Sequence, residues 1–478
     1  IQIVLNNYNA SNFVKSDASF WLARCKFIAK DFIQSQKLFS ESLRQNPNNL
    51  LSRIGYGQCQ VVRNEIGDAI RTFEKIQEDK PNILEVIYAL GMLYSKNSKN
   101  LTKSILFLEK YVKLSKENSE PVKLSAFLTL SKVYEDKNLN NSLEYLKMAR
   151  DQELSSGKTE EELSYDLLNN IGVFSILTNE ESSGKIFESA LNSMRATVAD
   201  PIEREALEIT LKYNIARSKE TNKENEEAMK LYEEIFMSQP NYTSARIRWL
   251  FLSSLSNNGD IKDEVIELLE SNKDNLEVRS FYGWYIKTYG KKYGLKVPGK
   301  DIESEHHRVT LVSYDSHDCY ALISLGNIYC SLARDLKVIN SKYQQKQDSY
   351  YVRAAQLYMK VLGLDPFNCY AAQGIAIIFA DRRQSGLALE IFRKVRDALH
   401  NIFVYINLGH CFLEVKQYAK AIESYEIALE KYSNGNDSRV LIFLGRAWLT
   451  RGLNERSLEY LKKALEYTEK SFEITKSL

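Results

Sequence analysis

The sequence predicts an all-α protein, a right-handed superhelical solenoid of about twelve helical hairpins, from three observations. Small and aromatic residues recur at a spacing of 34. Only 7 prolines interrupt 478 residues, which leaves room for long helices. The glycines stand at helical spacing and not in the patterns that cradle phosphates.

The period comes from laying two early stretches over each other. Ala23, Ser35, Phe39, Ser42 and Pro47 match Gly57, Ala69, Phe73, Ile76 and Pro81, and each of the five differences is 34. That is the tetratricopeptide period, in which helix A and helix B of one unit pack together and stack on the next. A small residue midway along helix A and another at the start of helix B let two backbones approach. The aromatic fills the space between units, and proline ends helix B.

The signature continues along the chain. It returns in Leu90, Gly91 and Tyr94, in Ala228, Tyr232, Ile235 and Pro240, and in Leu325, Gly326 and Tyr329 followed by Ala354, Tyr358, Val361 and Pro366. Divergent units centre on Ser131, Gly172, Ala245, Gly283 and Gly374. The clearest two are Leu408, Gly409, Phe412, Ala421, Tyr425, Ala428 and Leu444, Gly445, Trp448, Ser457, Leu461, Ala464. Gly57, Gly91, Gly326, Gly374, Gly409 and Gly445 are therefore the expected helix-packing positions.

Two segments break the period and divide the chain. Residues 1–289 carry the N-terminal and central divergent repeats, 290–316 is an irregular insertion, and 317–478 carries the C-terminal repeats with a polar insertion at 335–349. The first insertion holds Gly290, Gly294, Pro298 and Gly299 and then charges from Lys300 to Arg308, which predicts a loop and a short or irregular helix. The second is expected to lengthen its flanking helices or to form an exposed arm.

The bulk chemistry excludes several classes. Lys plus Arg number 64 and Asp plus Glu 62, a net charge of +2 with the signs interspersed, so nothing draws the chain to nucleic acid as a whole. The interleaved Tyr282, Trp284, Tyr285, Lys287, Tyr289, Lys291, Lys292 and Tyr293 offer a minor RNA-stacking alternative to a half-buried helix. Cys25, Cys59, Cys319, Cys330, Cys369 and Cys411 lie far apart without a C-x-x-C pair, which reads as reduced, mostly buried thiols. There is no membrane-length apolar run, and Ile1 to Asn9 lack a signal-peptide layout, so an intracellular protein is expected. The start at Ile1 and not at methionine suggests a fragment.

No catalytic, cofactor-binding or metal-binding residue is assigned. His306, His307, His317, His400 and His410 include no zinc-type i, i+4 pair, and adjacent His306 and His307 are expected to be a solvated loop pair. Runs such as Glu160 to Glu162 read as solvated helix starts. The non-catalytic capability that remains is to hold protein on a long surface lined by helix A residues. The carboxylate-clamp pattern of chaperone adaptors is absent: Ile323 stands one turn before Asn327, and Ala371 and Ala372 follow in the next unit. Near the packing glycines, Asn327, Asn407, His410 and Arg446 are the candidate partner-binding residues.

One stretch narrows the class further. DPFNCYAAQGIAIIFADRRQSGLALEIFRKVRDALHNIFVYINLGHCFLEVKQYAKAIESYEIAL, from Asp365 to Leu429, resembles the large tetratricopeptide scaffold subunit of the RNA polymerase II-associated Paf complex. The resemblance rests on AAQGIA (Ala371 to Ala376), IFRKVRDA (Ile391 to Ala398), NLGHCFLE (Asn407 to Glu414) and QYAKAIESYE (Gln417 to Glu426), with DSHDCYALISLGNIY (Asp315 to Tyr329) before them. Its specificity comes from non-consensus residues such as Gln373, Val395, Arg396, Asn407 and His410. It implies a nuclear, cofactor-free scaffold in transcription elongation and linked histone modification, binding the Paf subunit and the parafibromin-like subunit. The family's charged tail is not found before Leu478. A generic peptide-binding adaptor in another assembly or a chaperone pathway is the alternative that the fold alone allows.

Overall fold

The computed structural model describes residues 11–135, 137–178, 183–256, 260–293, 301–337, 341–399, 401–433 and 435–477. Gly294, Pro298, Gly299 and Lys300 of the first insertion, 338–340 of the second, and His400 lie outside the described residues. Those described form 24 α-helices and no strand, pairing in sequence as twelve hairpins from Asn12–Ile28 with Phe32–Gln45 to Ser438–Glu455 with Leu458–Ser477. The contacts divide the chain into Ile1–Trp249 and Leu250–Leu478, a boundary inside helix Thr243–Ser256.

Local chemistry sets where the helices begin and end. Side chains of Asn49, Asn275, Asn368 and Asn401 accept backbone N–H groups at the starts of their helices, as do Asp200, Asp318 and Asp437. Prolines 47, 81, 240 and 366 each stand two residues past the end of a second helix. At the turn inside several hairpins one residue adopts a left-handed conformation, and the next N–H reaches back five residues, as from Gln417 to the Phe412 carbonyl at 2.9 Å. This closes the first helix and reverses the chain.

Packing within each unit follows small against large. A Cβ on Gly57 would lie 2.7 Å from Phe73 Cζ, one on Gly172 2.6 Å from Phe187 Cε1, and one on Gly409 2.4 Å from Tyr425 Cε1. Tyr358 is wedged between Gly326 and Gly374, either of whose added Cβ atoms would clash with its ring. Gly91 instead faces Leu108, and Gly445 faces Thr468, so the aromatic is not universal. Where serine replaces alanine at the start of helix B, its hydroxyl bonds to a carbonyl of the facing helix: Ser35 to Ala23 at 2.9 Å, Ser104 to Gly91 at 2.7 Å, Ser142 to Ser131 at 2.8 Å. A buried hydroxyl is thereby satisfied without widening the contact.

The expectation of a solvated His306–His307 pair is overturned. Both lie in helix Ile302–Val309, only 8% and 2% exposed. Gly283 leaves a notch that His307 fills; a Cβ there would meet His307 Cε1 at 2.5 Å. The His306 Nε2 is 2.9 Å from the Arg279 carbonyl oxygen, and the ring stands edge-on to Tyr282. Arg279, itself 5% exposed, donates from Nε to Thr310 Oγ1 at 2.9 Å and from Nη1 to the Lys273 carbonyl at 3.2 Å, and its guanidinium lies 4.1 Å from the Tyr314 ring centre. Burial drives the pKa of His306 down to about 4 and, helped by His306 and Arg279, that of His307 to about 3. Histidine is polar by type but flat in shape, and here shape decides.

The polar segment before residue 350 is taken up largely into Ser341–Leu364, a helix of 24 residues. The cysteines are more varied than the sequence suggests: Cys59, Cys330 and Cys411 are buried, Cys319 and Cys369 partly so, and Cys25 is exposed because it sits on the outer side of the first helix. Burial pushes the Cys411 thiol up to about 12.

Candidate partner-binding site

In the C-terminal unit, Cys319–Asp335, Cys369–Asp381 and Ile402–Glu414 are the first helices of successive hairpins. Their last turns bound a cavity of about 330 Å³. Ile377, Ala380, Phe392 and Cys411 supply apolar wall, and Arg334, Asp381, Asn407, His410 and Glu414 the polar lining.

The polar groups are already organised. Arg334 Nε donates to Asp381 Oδ2 at 2.7 Å, and Tyr351 donates its hydroxyl to the same oxygen at 3.4 Å. Ser385 donates its hydroxyl to Glu414. His410 Nδ1 lies 2.7 Å from the Tyr425 hydroxyl, with the ring edge-on to Phe443 at 4.7 Å. Desolvation by the side chains packed around the imidazole, helped by the charge of Arg446, lowers its pKa. One guanidinium against two carboxylates leaves the lining with an excess negative charge.

Of the four residues singled out by sequence, the structure brings together Asn407 and His410. Asn327 accepts a hydrogen bond from the Tyr358 hydroxyl at 2.8 Å and lines a different cavity of about 420 Å³ with Lys287, Asp301 and Glu303. Arg446 is exposed and lines neither. Arg334, Asp381 and Glu414 were missed. Their shared signal is a charged residue in the last turn of a first helix, a position that solvent-facing charges also occupy.

The N-terminal unit carries a second groove, of about 600 Å³, across the first helices of its first three hairpins. Phe27, Val61, Val62, Tyr88 and Met92 form its apolar surface. Arg24 and Lys96 supply charge, and none of the described residues lining it is acidic. Lys123 Nζ stands 4.3 Å from the Tyr88 ring centre, and the Tyr88 hydroxyl lies 2.7 Å from Ser125 Oγ.

The interleaved aromatic and basic stretch has little stacking surface to offer. Tyr285 is fully buried, Trp284 packs on Phe251 and Phe281 at 5.0 and 5.6 Å, and Tyr282 faces His306. Among the described residues, no group of three or more His, Cys, Asp or Glu side chains is placed to hold a metal ion, and no helix is long and apolar enough to cross a membrane.

A tetratricopeptide-repeat profile matches residues 406–472, and a second matches 84–118. Over 478 aligned residues, 95% of this chain, the sequence is 39% identical to the RNA polymerase-associated protein CTR9 of Saccharomyces cerevisiae. It is 31% identical over 97% of its length to Tetratricopeptide repeat protein 1 of Schizosaccharomyces pombe, and 26% identical over 90% to the CTR9 homolog of Arabidopsis thaliana. The chain spans 43%, 43% and 42% of the lengths of these three relatives.

Proposed function

From this chain's membership of the CTR9 family of tetratricopeptide-repeat proteins, we propose that it is a non-catalytic scaffold of the RNA polymerase II-associated Paf complex. The observation that carries this reading is the 39% identity along 95% of the chain to a polymerase-associated protein of the same repeat type. It acts in the nucleus, in transcription elongation and the histone modification linked to it. It holds the Paf subunit and the parafibromin-like subunit, and it meets the polymerase machinery through them.

The polar groups of the C-terminal cavity are held in place: Arg334 and Tyr351 bond Asp381, Ser385 bonds Glu414, and His410 pairs with Tyr425. Affinity is spread over the first-helix surfaces, with Asn407 and His410 contributing at the C-terminal cavity. Asn327 and Arg446 are secondary contacts on the same unit.

The test is co-expression with the N-terminal region of the Paf subunit, followed by size exclusion with light scattering. A one-to-one complex that the double variant N407A/H410A weakens at least about tenfold supports the reading. A folded, monomeric chain that does not co-elute with the Paf subunit would favour the adaptor alternative.

A further inference from the structure

The turns inside the hairpins hold an unusual choice of residue. Among the described residues seven non-glycine residues have positive φ, all but Ser119 in such turns, and five of them are cations: Lys30, Lys223, Arg383, Lys416 and Arg456. The left-handed conformation is one that glycine adopts freely and that a side chain adopts at an energetic cost. A cation near the end of a helix does complement its dipole. That benefit is available at neighbouring helical positions without strain, so it does not explain why the strained position itself is charged.

In the C-terminal unit these cations form a series. Arg383, Lys416 and Arg456 close the first helices of three successive hairpins, Cys369–Asp381, Ile402–Glu414 and Ser438–Glu455. In stacked antiparallel hairpins all such turns fall on one edge. The nearby carboxylates face elsewhere: Asp381 takes Arg334, Glu414 takes the Ser385 hydroxyl, and Glu455 takes Arg451 at 3.0 Å. Arg382 is held by Asp348 at 2.5 Å. Arg383, Lys416 and Arg456 are exposed and form no ion pair among the described residues.

We propose that this edge of the C-terminal unit, through Arg383, Lys416 and Arg456, is a docking site for an extended acidic polypeptide segment of a partner. The first helices of successive hairpins lie at least a helix-packing distance of about 10 Å apart and an extended strand rises about 3.3 Å per residue, so an extended segment that joins two of the cations spans at least about three residues. The longer helix Ser438–Glu455 sets Arg456 about 7 Å further out than Lys416, so the segment crosses the edge obliquely. Single-stranded nucleic acid is less suited, because Tyr418 beside Lys416 is half-buried and the Tyr460 ring beyond Arg456 is covered by Arg451 at 4.4 Å, which leaves little aromatic face to stack a base. This edge adjoins the Asn407 and His410 cavity, since Arg383 and Lys416 follow the last turns that bound it, and binding of an acidic peptide is measured without the Paf subunit.

The experiment measures fluorescence anisotropy of a labelled ten-residue polyglutamate peptide against the 478-residue chain, with a deoxythymidine oligonucleotide in parallel. Salt-sensitive binding of polyglutamate over the oligonucleotide is expected. The triple variant R383G/K416G/R456G should lose at least about tenfold in affinity while its Tm rises, because charge and strain leave together. R383Q/K416Q/R456Q, which keeps the strain and removes the charge, should lose affinity without the gain in Tm. K30G/K223G, in the other unit, should raise Tm and bind as wild type. Absence of polyglutamate binding, preference for the oligonucleotide, or undiminished binding by either triple variant would overturn the proposal.

Discussion

Substituting Gly409 by alanine tests the packing rule on which the hairpins depend. The new Cβ would lie 2.4 Å from Tyr425 Cε1 and 2.6 Å from Cζ, and the Tyr425 ring is fully buried with its hydroxyl held by His410. The ring therefore has to move or the helices part, a strain of about 1–3 kcal/mol by the usual scale of overpacking. Alanine also favours a helix interior over glycine by about 1 kcal/mol, which masks part of the loss in a single variant. A double-mutant cycle with Y425A removes that ambiguity, since helix propensity is common to both backgrounds and cancels. The coupling should be about 1–3 kcal/mol, with G409A destabilising beside Tyr425 and harmless or stabilising beside alanine. Stacked hairpins can open in sequence, so hydrogen exchange of helices Ile402–Glu414 and Tyr418–Ser433 is the better readout than global melting. Gly363, with nothing within 4 Å of its Cβ position, is the control, and G363A should be neutral or stabilising. Equal costs of G409A in the two backgrounds would show that glycine is not there to admit the tyrosine.

Other predictions follow from the buried histidines and their surroundings. His306 and His307 have pKa values of about 4 and about 3 when folded, below the ordinary imidazole value of about 6.5, so the unfolded chain binds more protons in between and stability falls as pH drops below about 6.5. His306 alone accounts for about 3 kcal/mol once pH is at or below 4, and H306Q/H307Q should flatten the decline in exchange protection of helix Leu276–Tyr289 between pH 7 and 4. R279K should cost about 2–4 kcal/mol, because an ammonium cannot replace the bonds to Thr310 and to the Lys273 carbonyl, and near-wild-type urea unfolding would contradict the brace. M92E places a charge in the apolar N-terminal groove and should weaken a partner that covers Tyr88 and Met92 while leaving circular dichroism unchanged.

Much of this protein is legible in its sequence because the repeat imposes the same packing demand every 34 residues or so. Gly57 opposite Phe73 and Gly409 opposite Tyr425 repeat one local solution, so the pattern identifies the hairpins, and the prolines beyond the second helices mark their ends. The departures within the period, Gly91 on Leu108 and Gly445 on Thr468, change the filler and not the rule.

What the sequence by itself determined was therefore the element type and the hairpin order, both of which depend on contacts between residues close along the chain, while the family resemblance was legible in residues outside the repeat consensus. Only the tertiary structure decided that Arg334, Asp381 and Glu414 share one cavity, since they come from three different helices and no local spacing links them. The same holds for the buried His306 and His307: adjacency in sequence argues for exposure, but the notch at Gly283 and the carbonyl of Arg279 supply the space and the hydrogen-bond acceptor that make burial favourable.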